Sequence, residues 1–227
     1  MNKIHLRNIL LFAILILLIY SAYAADLPKW FPFDTKNALS EWQEKIFRGK
    51  VLYTVQMDKK KEGFLAASSA QACSGLIYKM KFDVYESPMI SWDWMVSKFP
   101  EKKPAAGAPN DGWIERDDYA ARVYVIFSNW NFMNIKTLEY VWDQDLPAGK
   151  VMTSPYFENI KIIVTESGNK NRNAWVVEER NIFEDYKTAF GKNPPRFVGA
   201  IALMTDSDNT VSTAEAAYQN LKVGYAK

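Results

Sequence analysis

Two aspartates, an asparagine and two threonines follow an apolar run in the stretch ALMTDSDNTVS, residues 202–212. Asp206, Asp208 and Thr210 have the i, i+2, i+4 spacing with which a calcium loop begins. An EF-hand then needs Gly at its sixth position and Glu at its twelfth, where this chain has Val211 and Ala217. The EF-hand is thereby excluded. A calcium site of another geometry stays open, because calcium takes oxygen ligands and the loop offers them. So does an Asx turn, in which Asp206, Asp208 and Asn209 bond their own backbone.

A second polar group precedes an apolar strand in RDDYAARVYVIF. Asp117 and Asp118 meet Asp206 and Asp208 if the start of that strand lies beside the end of an antiparallel neighbour. Two carboxylates suffice for glycoside hydrolysis when about 5 Å or about 6.5–9.5 Å apart. The same convergence serves a structural calcium or an Arg–carboxylate cluster, and nothing in the sequence supplies a raised pKa. Arg122 interrupts a strand apolar on both faces. A buried guanidinium keeps its charge and needs carboxylates or carbonyls around it. Asp93 and Asp143 each interrupt an aromatic strand and are its candidate partners. Arg122 is then either a structural ion pair or the wall of a ligand groove.

Aromatic faces can stack on sugar rings. Trp92, Trp94 and Trp142 lie on strands and are assigned to the core. Trp113 and Trp130 sit in or beside loops and are the platform candidates.

Several chemistries are excluded. The 227 residues contain one histidine, His5. It lies in a leader: MNKIHLR is basic, NILLFAILILLIY is apolar, and Ala22 and Ala24 give the A-x-A pattern of a secretory signal peptide cleaved after Ala24. The apolar run is shorter than the ~20 residues of a spanning helix. A mature chain 25–227, periplasmic or secreted and without a membrane span, is expected. It has no imidazole, hence no Ser-His-Asp triad and no histidine-ligated metal. Lys3 and Arg7 leave with the leader, so the formal charge falls from +2 to 0. A neutral chain without basic blocks is no nucleic-acid binder. Cys73 is the only cysteine, so no intramolecular disulfide forms.

The elements that must position these groups are mostly strands. In MISWDWMVS (89–97), Ile90, Trp92, Trp94 and Val96 alternate with Ser91, Asp93 and Ser97, the period of a half-buried strand. About ten such segments between 51 and 225 imply one all-β, mainly antiparallel sandwich or jelly roll. A helix runs from a cap at Asn181 to a stop at Gly191, with Glu184 completing a capping box. A second short helix is expected around SEWQEKIF, with Trp42 and Ile46 stacked. Residues 98–118 form a long loop.

In order along the chain, VLYTV, SSAQACSGLIYK, SPMISWDWMV, RDDYAARVYVIF, LEYVWD, ERNIFEDYKTAFG and VGAIALMTDSDNT resemble the bacterial exported family called domain of unknown function 3047. The resemblance implies a sandwich of galactose-binding-like or lectin-like build. It brings no activity with it. The motif positions here are Asp117, Asp118, Arg122, Asp206, Asp208, Asn209 and Thr210, and Cys73 stands where a small residue is expected.

Three readings follow: a non-catalytic envelope module that binds a glycan or other small polar ligand, a carboxylate-dependent saccharide hydrolase or lyase, and a structural or interaction protein of the envelope. No cofactor is required except calcium, if the 206–210 loop takes one. Burial of the motif residues would favour the third reading over the first two, and an exposed aromatic beside the Asp/Arg cluster the first.

Overall fold

The computed structural model describes residues 26–60, 62–102, 116–129 and 131–226. The expected leader 1–24, the platform candidates Trp113 and Trp130, and most of the 98–118 connection lie outside them.

Among the described residues the order is β1 (Lys29–Phe31), β2 (Gln43–Arg48), β3 (Leu52–Met57), β4 (Gly63–Ala70), β5 (Cys73–Asp83), β6 (Met89–Lys98), β7 (Ala121–Phe127), β8 (Thr137–Asp143), β9 (Val151–Thr153), β10 (Ile160–Ser167), β11 (Val176–Asn181), α1 (Ile182–Phe190), β12 (Phe197–Asp206) and β13 (Thr213–Tyr225). One sheet runs β11-β6-β13-β4-β3, with β1 beside β13; the other runs β2-β5-β12-β7-β8-β10-β9. The pairings are antiparallel except β8 with β10. This is a β-sandwich of jelly-roll type.

The two-residue period explains the packing. Ile90, Trp92, Trp94 and Val96 on β6 are buried, while Ser91, Asp93 and Ser97 face outward and remain partly exposed. The inward rings meet rings of the opposite sheet: Trp92 and Tyr140 have centroids 5.3 Å apart, Trp94 and Trp142 6.0 Å. Trp92, Trp94 and Trp142 are thus core residues. Their area and offset geometry hold the sheets together without a disulfide.

The α1 helix begins and ends where its side chains dictate. Asn181 Oδ1 accepts from the Glu184 amide at 3.1 Å. Gly191 takes φ 68°, and its N–H reaches the Lys187 carbonyl. A side chain there would pay the left-handed penalty that glycine avoids.

The second expected helix is absent. Gln43–Arg48 is a strand paired to β5, from Gln43↔Ile77 to Arg48↔Cys73. Trp42 does not stack on Ile46; it is buried against Phe31 and Tyr78, and Ile46 is half exposed. Pairing with an open sheet edge satisfies every second backbone group, which overrides helix propensity.

The antiparallel register of β12 on β7 sets Met204 opposite Arg122. The end of β12 therefore lies beside the chain entering β7, and the Asp206 N–H donates to the Tyr119 carbonyl. Both polar motifs come together at one end of the sandwich.

Candidate functional site

Arg122 is the centre of that end, and its side chain is buried. Nε donates to Asp206 Oδ1 at 2.9 Å, and Nη2 donates to Asp206 Oδ2 and to the Asp117 carbonyl. Nη1 donates to Glu139 Oε1 at 2.6 Å and to the Tyr124 hydroxyl at 3.2 Å. All five guanidinium donors are used. The Tyr119 ring covers the guanidinium 4.6 Å away. This planar, bidentate arrangement is one lysine cannot make.

The expected partners are corrected. Asp93 lies on the outer face of the other sheet and accepts from Gln219 and Asn220. Asp143 lies beyond reach of Arg122 and holds buried Lys102 at 2.6 Å. Glu139 takes their place because it sits opposite Tyr124 on β8, one pleat from the residue facing Arg122.

Asp118 performs a second task. Its Oδ2 accepts from the Thr210 amide and hydroxyl, both at 2.6 Å, and its Oδ1 from the Asn209 amide at 3.3 Å. The carboxylate is fully buried. It holds a loop that is otherwise strained, since Val211 sits at φ 52°, a conformation costly for a β-branched residue. Ser207 extends the lock to the other sheet, sharing a 2.7 Å hydrogen bond with Ser69 and accepting from the Gln71 amide.

The opening alternatives are thereby separated. Asp206 has both oxygens turned into Arg122 and the Tyr119 amide, and the Thr210 hydroxyl is bound to Asp118. Asp206 and Asp208 do lie near a third potential ligand, the Cys73 sulfur, all within 4.8 Å. That set does not fit calcium, which takes oxygen only. Burial pushes the Cys73 thiol well up, against forming the thiolate that a softer metal needs. The loop is built as a turn locked by buried charges.

The outer rim is different. Asp117 is buried, yet its Oδ1 has no hydrogen-bond partner. Its Oδ2 lies 4.0 Å from Arg122 Nη1, too far for a hydrogen bond. Burial pushes its carboxyl up to about 8 against the opposing pull of Arg122. Beside it, Tyr156 is partly exposed and its hydroxyl accepts from the Asn209 side-chain Nδ2 at 2.7 Å. Asp208 faces the exposed Arg48 at 3.9 Å. Tyr156 was not legible in the sequence, because it stands in a turn far along the chain from either motif.

A raised carboxyl pKa makes stability pH-dependent. The contribution of Asp117 is complete below its unfolded value near 4 and disappears as pH rises through about 8. Asp117→Asn therefore flattens part of the fall in unfolding midpoint between pH 5 and pH 9. A pH series of thermal melts on both proteins checks this; parallel curves refute it.

A family model, described as protein of unknown function DUF3047, matches residues 40–222. No curated protein matches the chain in sequence. Among solved structures, the chain is similar to the enzymatically active domain of bacteriophage CBA120 tailspike protein 4, at 10% identity and TM-score 0.43, covering 86% of this chain and 20% of that one. A cellulase derived from Cel12A of Rhodothermus marinus gives 8% identity and TM-score 0.47 over 86% of this chain and 95% of that one. The mannan-recognising carbohydrate-binding module TmCBM27 gives 8% and 0.36 over 88% and 96%. At this distance none of the three bears on function.

Proposed function

We propose that this chain, which belongs to the DUF3047 family, is an exported, non-catalytic module that binds a glycan or other small polar ligand at the rim of the locked sandwich end. The observation that carries the reading is the partnerless Asp117 oxygen beside Tyr156 and Asn209. Buried polar atoms in native proteins are almost always paired, and one left unpaired just beneath a half-exposed ring supports a partner supplied by a bound ligand's hydroxyl. The deeper residues, Arg122, Asp118, Asp206, Glu139 and Thr210, are committed to one another and serve as the rigid floor. Their saturation disfavours the hydrolase reading for the floor residues; at the rim the second carboxylate, Asp208, faces Arg48 at 3.9 Å. The basic, apolar and small-residue order of residues 1–24 supports export to the periplasm or beyond, and cell fractionation tests it. Among the described residues no helix is long and apolar enough to cross a membrane.

The binding test is isothermal titration of neutral and acidic oligosaccharides on residues 25–227, with Asp117→Asn and Tyr156→Ala alongside. Losing one hydrogen bond between neutral groups costs about 0.5–1.5 kcal/mol, roughly a twofold to tenfold weaker Kd. That weakening in both variants, with midpoints near wild type at pH 6, is expected. Binding that both variants retain unchanged refutes this site.

A further inference from the structure

A second feature lies along the side of the sandwich, between edge strands of the two sheets. The β11 strand is the outermost of its sheet. In the facing sheet β9 covers β10 only as far as Ile163, so β10 is also an edge at Glu166. Glu178 stands opposite Trp92 on β6, and Glu166 opposite Trp142 on β8. Trp92 and Trp142 point into the core, so both glutamates point inward from opposite sheets. Both are partly exposed.

Two carboxylates facing each other across a seam raise each other's cost of ionisation. The nearby cation does not relieve this. Arg180 is engaged by Asp185, through Nε at 2.9 Å and Nη2 at 2.5 Å, and Asp185 also accepts from Tyr140. Burial, then the charge of Glu166, pushes the Glu178 carboxyl up to about 7, while Arg180 and Trp94 pull it down. Fully buried Trp94 directs its indole N–H toward Glu178 without closing a hydrogen bond of normal geometry. The indole N–H of Trp92, equally buried, has no partner either. An inward charge on an edge strand discourages edge-to-edge aggregation. One charge suffices for that, and it does not explain the buried, unpartnered Trp94 N–H aimed at Glu178.

We infer that Glu166, Glu178 and the indole N–H of Trp94 form a second binding site, for a polyhydroxylated ligand whose hydroxyls donate to the carboxylates and accept from the indole. A metal ion fits poorly, because an N–H donor presents its positive end to the same space. The site is independent of the Asp117 rim: it lies between other strands and shares no residue with it.

The experiment is tryptophan fluorescence titration of residues 25–227 with maltohexaose, cellohexaose, mannohexaose and sorbitol, and separately with calcium and magnesium. Glu166→Gln, Glu178→Gln and Tyr156→Ala are measured in parallel, each checked by its melting curve. The two Gln changes keep size and polarity, and both positions reach solvent, so folding survives. A saturable polyol response, weakened at least tenfold by either Gln substitution and unchanged by Tyr156→Ala, is expected. A response abolished only by Tyr156→Ala assigns binding to the rim and overturns the second site. No response sensitive to Glu166 or Glu178 overturns it too, as does a response to the metal ions alone. The rim reading fails by a different variant, so the two are distinguishable.

Discussion

Asp206→Ala is expected to lower the unfolding midpoint as much as any single change at the locked end. Removing one partner of a buried pair costs about 3–5 kcal/mol, because the other charge is left in the protein interior. For a domain of about 200 residues this corresponds to a fall of roughly 10 °C. The cause is specific. Arg122 would keep Glu139 but lose the fork at its Nε and Nη2, and the Tyr119 amide would lose its acceptor in the same step. Arg122→Met is expected to be as damaging, since it leaves Asp206 and Glu139 buried without their shared cation. The double variant Arg122→Met/Asp206→Ala should lose clearly less than the two singles added. That shortfall is the coupling of groups in one network. Midpoints that simply add would mean the two side chains act independently, against the bidentate geometry.

Asp118→Ala carries the second large effect. Three donors, the Asn209 and Thr210 amides and the Thr210 hydroxyl, lose their acceptor together. Each buried donor left unpaired costs about 1–3 kcal/mol, although water entering from the rim relieves part of it. A net loss of roughly 3 kcal/mol is expected by the same reckoning. The location of the damage matters more than its size. With the latch gone, only the bonds of Ser207 and Ser212 at the ends of the turn oppose the strain at Val211, so residues 208–211 should open locally. Hydrogen exchange should then speed up at Asn209 and Thr210 while the β12 amides stay protected. Uniform acceleration across the sandwich would instead make Asp118 a general stabiliser.

Much of this was legible in the sequence, for reasons tied to particular residues. The alternation in 89–97 reported the inward face of β6 because one face of that strand is packed and the other is wet. The helix announced itself through Asn181 and Gly191, whose conformational preferences are local. The meeting of Asp118 with the 206–210 loop was legible only as a condition, that their strands be antiparallel neighbours, and the register of β12 on β7 meets it. The partners of Arg122 did not follow, because a partner across a sheet depends on register. Glu139 gave a faint signal: it lies in a strand where all seven residues are buried, and a carboxylate there needs a cation. Asp93 and Asp143 gave the same signal and answer to other residues. The helix expected at SEWQEKIF failed because its side-chain spacing suited either structure and the open edge of β5 decided between them. Glu166 and Glu178 were invisible as a pair, since only the packing of two sheets brings them to one seam.

The structural reading of the 206–210 loop is tested most directly by thermal unfolding of residues 25–227 in EDTA and then in excess calcium. Asp206→Ala and Asp208→Ala are measured beside the wild type. If Asp206 is committed to Arg122, calcium leaves all three midpoints unchanged. Asp206→Ala then melts about 10 °C lower in both conditions, on the scale set above for a broken buried pair. Asp208→Ala stays near wild type, because its one ionic partner, Arg48, is exposed and 3.9 Å away. A calcium-dependent rise in the wild type that disappears in both variants would contradict this, since only a ligand bound to the folded loop raises the midpoint by mass action.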